Sequence, residues 1–233
     1  MVDWRSRHLD AMGRATEATG LFAAVTSAAR ELGFDYCAYG MRMPLPLTKP
    51  ATVMLNNYPG AWQARYAEQG YLMHDPTVRH GAASLLPVVW SETLFAQARP
   101  LWEEARGHGL QVGWAQASRT PDGCIGMLTL ARSHEPLSDA ELRHSEANMS
   151  WLVHVAHQGL VRLQHPAVAA VALSAREAEV LRWMADGKTS AEAAIILDLS
   201  ERTVNFHVAN ALRKLGAANK TSAVVKAALL GLL

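Results

Sequence analysis

Between Asn57 and Trp90 the chain gathers Tyr58, Trp62, Tyr66, Tyr71, Asp75, Thr77 and Trp90, a density well above the 7% aromatic content of the whole sequence. Tyr58, Trp62 and Tyr66 recur at every fourth residue. On one face of a helix and its approach they present two hydroxyls and an indole N–H toward a common volume, which is how a ligand-lining wall is equipped. The same residues would serve as an aromatic core cluster, and taken alone they favour that plainer role. Asp75 followed by Pro76 has a plain role too, as a helix N-cap with proline in the first turn.

A second set lies near the C-terminus. Arg202, Thr203, Asn205, His207, Asn210, Arg213 and Lys214 fall off the apolar stripe of Val204, Val208, Ala211, Leu212 and Leu215. They are donors suited to phosphates and base edges in a DNA major groove, and the Asn205 amide could pair bidentately with adenine. Lys188 and Lys220 add cations beside the neighbouring helices. From Arg202 to Lys220 there are four basic residues and no acidic one, so phosphate neutralisation is expected here. The plainer alternative is the solvated face of a small helical bundle, and periodicity does not separate the two.

Enzyme chemistry finds little support. There is no Gly-x-Ser-x-Gly elbow. His154 and His157 share a helix face, but His144 lies too far along to complete a metal site. Gly107, His108 and Gly109 with Gly113 miss the dinucleotide-binding spacing. A phosphorylated receiver domain would need early acidic clusters and a late lysine, whereas Lys49 is the only lysine in the first 120 residues.

The elements that must position these residues follow from periodicity. Phe22, Val25, Ala29 and Leu32 predict an amphipathic helix stopped by Gly33. Phe34 to Met43 and Thr52 to Asn57 read as strands closed by prolines. Ala61 to Gln69 predicts a short helix, Asp75-Pro76 opens another, and Glu92 to His108 predicts a third. Val112 to Ser118 and Ile125 to Ala131 flank the turn Thr120-Pro121-Asp122-Gly123 as an antiparallel hairpin. Ser138 with Glu141 predicts a capping box for a long helix carrying Leu142, Met149, Leu152, Val153, Ala156, Leu160 and Leu163. These elements predict an α/β sandwich, an antiparallel sheet flanked by helices.

From Leu173 onward the pattern is all-helical. Ser174 with Glu177 predicts a capping box, Ser190 is expected to cap Ala191 to Leu197, and Asp198-Leu199-Ser200 breaks the chain before Glu201 to Leu215. That is a helix-turn-helix, with a last helix from Lys220. The boundaries so read are an N-terminal domain over 1–164, a linker over 165–172 and a four-helix C-terminal domain over 173–233.

In the whole chain of 233 residues, half are hydrophobic and 18% charged, so a sizeable core can form. The net charge of +1 leaves any preference for nucleic acid local: 14 basic residues stand against 15 acidic up to Ala172, and 8 against 6 from Leu173. Charged residues from Asp3 to Asp10 argue against a signal peptide, and no stretch has the roughly 20 apolar residues that a membrane span needs. Two cysteines, Cys37 and Cys124, predict a reducing cytoplasm and no disulfide framework.

The segment LSAREAEVLRWMADGKTSAEAAIILDLSERTVNFHVANALRKLGAANKTSAV resembles the DNA-binding domain of LuxR-type regulators, with Glu177, Leu181 and Gly187 at the family's marker positions. It departs at Ala209, where some relatives carry a long polar side chain. NYPGAWQARYAEQGYLMHDPTV resembles the acyl-homoserine lactone binding segment of the same family, and LGFDYCAYG, PVVWSETLF, LWEEARGHGL and IGMLTLAR extend the similarity toward its short-acyl-type receptors. The resemblance implies a quorum-sensing transcription factor, with Glu201 to Leu215 as recognition helix. Its partners would be an N-acyl-homoserine lactone as signal ligand, with no cofactor, a palindromic promoter site bound as a homodimer, and RNA polymerase. It also implies site roles: Trp62 donating to the lactone carbonyl, Asp75 accepting from the amide N–H, and Tyr58 and Thr129 donating to the amide carbonyl. Thr77 would support Asp75, Tyr66 and Trp90 would wall the head group, and Ala38, Ile125 and Met127 would lie along the acyl chain. A lactone-hydrolysing enzyme and a lactone-independent DNA-binding regulator are the alternatives.

Overall fold

Five short runs of alternating side chains pair into one antiparallel sheet in the order β2-β1-β5-β4-β3. They are β1 (Tyr36–Arg42), β2 (Thr52–Asn56), β3 (Val88–Val89), β4 (Val112–Arg119) and β5 (Ile125–Arg132). The computed structural model describes residues 3–164 and 171–233, which form two units. The expected linker therefore lies mostly outside the described residues.

Strand alternation gives the sheet two different faces. Cys37, Tyr39, Met41, Trp114, Leu128 and Leu130 pack against α2 (Ala18–Glu31) and α6 (Asp139–Gln164), whose Leu21, Val25, Leu152, Val153, Ala156 and Leu160 are buried with them. Each large apolar side chain so buried contributes about 1.5–3 kcal/mol. The opposite face carries Ala38, Gly40, Met127 and Thr129, beneath α3 (Gly60–Glu68), α4 (Pro76–Ala83) and α5 (Arg99–Gly107). One face is filled and the other is left hollow.

The structure extends and corrects the sequence reading. A helix α1 (Trp4–Gly13) was not anticipated; Trp4, His8 and Met12 at successive four-residue steps are its signal. The helix expected over Glu92 to His108 starts only at Arg99, because Pro100 lacks the N–H of a helix interior and belongs in the first turn. Turns built on Ser91 fill the preceding stretch, with the Leu94 N–H donating to Ser91 Oγ at 3.1 Å. At the start of α6, Ser138 and Glu141 meet as the capping box expects, and Glu141 takes on a second partner. The Glu141 N–H donates to Ser138 Oγ at 3.2 Å, and the Glu141 carboxylate also accepts from Arg132 at 2.6 Å. His154 and His157 are engaged separately, His154 with Ser118 at 2.9 Å and His157 with the Tyr39 hydroxyl at 2.6 Å.

In the second unit, α7 (Ala175–Ala185), α8 (Ser190–Leu197), α9 (Glu201–Leu215) and α10 (Lys220–Leu229) surround Val180, Leu181, Ala193, Val204, Val208, Ala211 and Ala223. Ser174 and Glu177 form the expected reciprocal cap. At α8 the cap is Thr189, in a box with Glu192, and not Ser190, whose side chain turns inward. Asp198, left-handed at φ 53°, ends α8, and Ser200 caps α9.

Candidate functional site

The hollow face of the sheet encloses a cavity of about 520 Å³. Its floor is built from small side chains. Thr129 on β5 pairs with Ala38 on one side and Ala115 on the other, and a Cβ added at Gly40 would meet nothing within 4 Å. Tyr58, Trp62, Tyr66, Asp75, Thr77, Trp90, Ala38, Met127 and Thr129, all anticipated, line this one space. Ile125 does not. It shares the face of Met127 and Thr129, but its register partners are Arg42 and Arg119, at the end of the strands beyond the cavity.

Each wall residue is placed by a local rule. The α3 turn puts Trp62 and Tyr66 on one side, their rings 5.7 Å apart edge to face. Asp75 caps α4, accepting from the Thr77 N–H at 2.8 Å and the Thr77 hydroxyl at 2.6 Å, and its other oxygen accepts from the Tyr66 hydroxyl at 3.0 Å. A carboxylate has about four acceptor positions, so one on Oδ2 stays open. Burial, followed by the Asp75 charge and its hydrogen bond, pushes the Tyr66 phenol well up and keeps it a neutral donor. Burial does the same at Tyr58, with smaller contributions from Cys37 and Asp75.

Polar capacity is left over on the walls. Trp62 is 2% exposed and Thr129 5%, yet among the described residues no acceptor is in reach of the Trp62 indole N–H, the Thr129 hydroxyl or the Tyr58 hydroxyl, all lining the cavity. Buried donors of this kind are normally satisfied. These three donors and one open carboxylate position belong to the lining of the same hollow, and the buried indole N–H of Trp90, another lining residue, also has no partner among the described residues. Sequence reasoning missed the apolar remainder of the wall: Gly40 and Met54 from the sheet, Leu72 and Val78 around α4, and Phe95, Leu101, Ala105 and Leu110 around α5. The four-residue step from Leu101 to Ala105 was its available signal.

Trp90 is seated over a glycine, and its backbone N–H donates to the Gly113 carbonyl at 2.8 Å. A Cβ at Gly113 would collide with the Trp90 ring atoms Cδ2, Cε2 and Cε3. Gly113→Ala is therefore expected to push the indole toward the cavity and cost about 1–3 kcal/mol as overpacking. A lowered urea midpoint together with weakened small-molecule binding checks this, and an unchanged midpoint would show that the ring is free to move.

On the second unit, the exposed face of α9 centres on Arg202, Phe206, Ala209 and Arg213, opposite the buried Val204, Val208, Ala211 and Leu215. Phe206 is 62% exposed, with the His207 ring against it at 5.7 Å; it was not anticipated. Thr203 is tied into the N-cap, its hydroxyl 2.8 Å from that of Ser200, and Arg213 donates to Asn210 at 2.9 Å. Lys188 is exposed just before α8.

Three of the expected DNA contacts also have partners within the domain. Lys214 donates to the Glu177 carboxylate at 2.7 Å, so its charge joins α9 to α7. Lys220 donates to Ser190 Oγ at 2.6 Å, which engages it internally. Asn205 Oδ1 accepts from Ser190 Oγ at 2.9 Å and from Lys220 at 3.3 Å, which removes the acceptor that a bidentate pair with adenine needs. The periodicity that put these residues off the apolar stripe does not distinguish its flanks, where neighbouring helices are reached, from its opposite side.

Comparison with known proteins matches residues 17–160 to the autoinducer binding domain and residues 171–227 to the luxR family of bacterial regulatory proteins. The chain is 48% identical to the transcriptional activator protein AnoR of Acinetobacter nosocomialis, over 100% of both chains. It is 43% identical to the quorum-sensing regulator RhlR of Pseudomonas aeruginosa, over 93% of this chain and 91% of that one. The structure of Escherichia coli SdiA in complex with octanoyl-rac-glycerol superposes with a TM-score of 0.79 at 37% identity, covering 100% of this chain and 98% of that one.

Proposed function

Because the chain belongs to the LuxR-type family of autoinducer-binding transcription regulators, we propose that its cavity takes an N-acyl-homoserine lactone and that the liganded chain acts as a homodimer on a palindromic promoter site. The leftover polar capacity of the cavity carries the reading. An amide-linked lactone offers two carbonyl acceptors and one N–H donor. Trp62 donates to the lactone carbonyl, Tyr58 and Thr129 donate to the amide carbonyl, and the open position of Asp75 accepts the amide N–H, while Thr77 and Tyr66 hold that carboxylate in place. Trp90 walls the ring, and Ala38, Gly40, Met54 and Met127 leave room for the acyl chain. The structure solved for SdiA, with an octanoyl glycerol, supports an acyl-bearing ligand in this fold.

Two α9 helices presented across a two-fold axis would meet half-sites about one helical turn apart. The remaining partner in this reading is RNA polymerase, and the setting is the cytoplasm. No described helix is long and apolar enough to cross a membrane. A ligand that binds only the native state at a hundred times its Kd adds about 2.7 kcal/mol, which for a chain of this size raises the melting midpoint by roughly 5–10 °C. Thermal melts with lactones of graded acyl length should show a rise that peaks at one length. A midpoint indifferent to every lactone would overturn the ligand assignment.

A further inference from the structure

The geometry points to Asn205 as a base reader restricted to acceptor edges, with Lys220 as the residue that fixes its orientation; this rests on α9 lying in the major groove. An asparagine amide has one acceptor end and one donor end, and rotated by half a turn it offers the other. Here the choice is made by a directed chain of hydrogen bonds. Lys220 Nζ donates to Ser190 Oγ at 2.6 Å, Ser190 Oγ donates to Asn205 Oδ1 at 2.9 Å, and Lys220 Nζ donates to the same oxygen at 3.3 Å. An ammonium has three donors and no acceptor. Turning the amide over would set its NH2 against that ammonium, so Oδ1 stays inward and Nδ2 faces out from an exposed position on α9.

A donor-only asparagine discriminates differently from a free one. Adenine in the major groove presents N7 as acceptor beside the N6 amino donor, and the usual asparagine pair needs both amide ends. With Oδ1 committed, the adenine amino group meets no acceptor from this side chain. Guanine, with O6 and N7, and thymine, with O4, offer acceptors alone. The half-site position read by Asn205 should favour guanine or thymine on the contacted strand over adenine, which offers N7 alone beside an amino group left unpaired.

The test is selection from a duplex library with a randomised half-site, using the full chain prepared with N-octanoyl-homoserine lactone. Asn205→Ala identifies the position by erasing its preference. There the wild type and Lys220→Arg, whose guanidinium also lacks an acceptor, should deplete adenine about tenfold. Lys220→Met frees Ser190 to accept from Nδ2, so adenine should return at that position. Its general loss of affinity across all sequences is a separate effect. Adenine enriched by the wild type at that position overturns the proposal, as does an Asn205→Ala logo equal to the wild type or a Lys220→Met logo without adenine. The first two comparisons decide by themselves if Lys220→Met does not fold. A wild-type chain that binds no duplex at any salt concentration would instead overturn the placement of α9 on DNA.

Discussion

Replacing Lys214 with methionine should destabilise the C-terminal domain by about 2–3 kcal/mol at neutral pH, less than the roughly 3–5 kcal/mol of a fully buried pair, because the Lys214 side chain is 38% exposed. The partner it leaves is Glu177, only 4% exposed, whose carboxylate also accepts from the Ser174 N–H at 2.7 Å. Burial alone would push the Glu177 carboxyl up; the Lys214 ammonium and the Ser174 hydrogen bonds outweigh it and hold the group below the ordinary carboxylate range. In the wild type this stabilisation is complete above the ordinary carboxylate pKa and is lost as pH falls through the lowered folded value. In Lys214→Met, burial loses its main opponent and the Glu177 carboxyl should rise from its lowered value, so the stability gap between variant and wild type should narrow as pH falls from 7 toward 5. Adding Glu177→Gln should recover part of the loss. Urea unfolding of the full chain at both pH values checks this. An unchanged midpoint would return Lys214 to the phosphate-contacting set. Arg213→Ala is the contrast, expected to leave stability alone and to flatten the slope of log affinity against log salt by roughly 0.9.

Lys214 also shows where reading the sequence stops. Periodicity places a residue by angle around one helix, and the angle of Lys214 put it off the apolar stripe correctly. What lies beyond that flank depends on how α7 crosses α9, and no local pattern encodes the crossing. The internal partners of Asn205 and Lys220 escape the sequence for the same reason, since Ser190, which joins them, has the local signature of a cap. Its neighbour Thr189 holds that place, and the two adjacent hydroxyl residues were locally equivalent. Ile125 failed differently: the alternation put it on the correct face, but the length of the cavity along β5 is set by where α4 and α5 cover the sheet. By contrast, Asp75 as an α4 cap, the β4–β5 hairpin and the gathering of Tyr58, Trp62 and Tyr66 were legible, because each depends on residues close in sequence. Thr129 joined that cluster only through the family resemblance, since sheet pairing over a long separation brings it there.

Asp75→Asn should weaken the response to the signal ligand by about tenfold to a hundredfold, the equivalent of about 1–3 kcal/mol, with little change in fold stability. Asp75 has two duties that an alanine would confound. As the cap of α4 it accepts from the Thr77 N–H, and losing a cap costs about 1 kcal/mol by itself. Asparagine caps as well as aspartate, so Oδ1 can keep Thr77 while the amide NH2 takes the place of Oδ2. Tyr66, whose hydroxyl now donates to Oδ2, can turn its proton and accept from that NH2 instead. The ligand amide has no such freedom: its N–H would face another N–H inside the cavity, where an unpaired donor carries a desolvation cost. Asp75→Ala should lose both functions, with a lowered midpoint and a lowered response. The pair of variants separates them when lactone dose response and thermal midpoint are measured on the same preparations. A folded Asp75→Asn chain that responds like the wild type would mean that the carboxylate serves only the α4 cap, and the amide N–H would then need a different acceptor among the cavity walls.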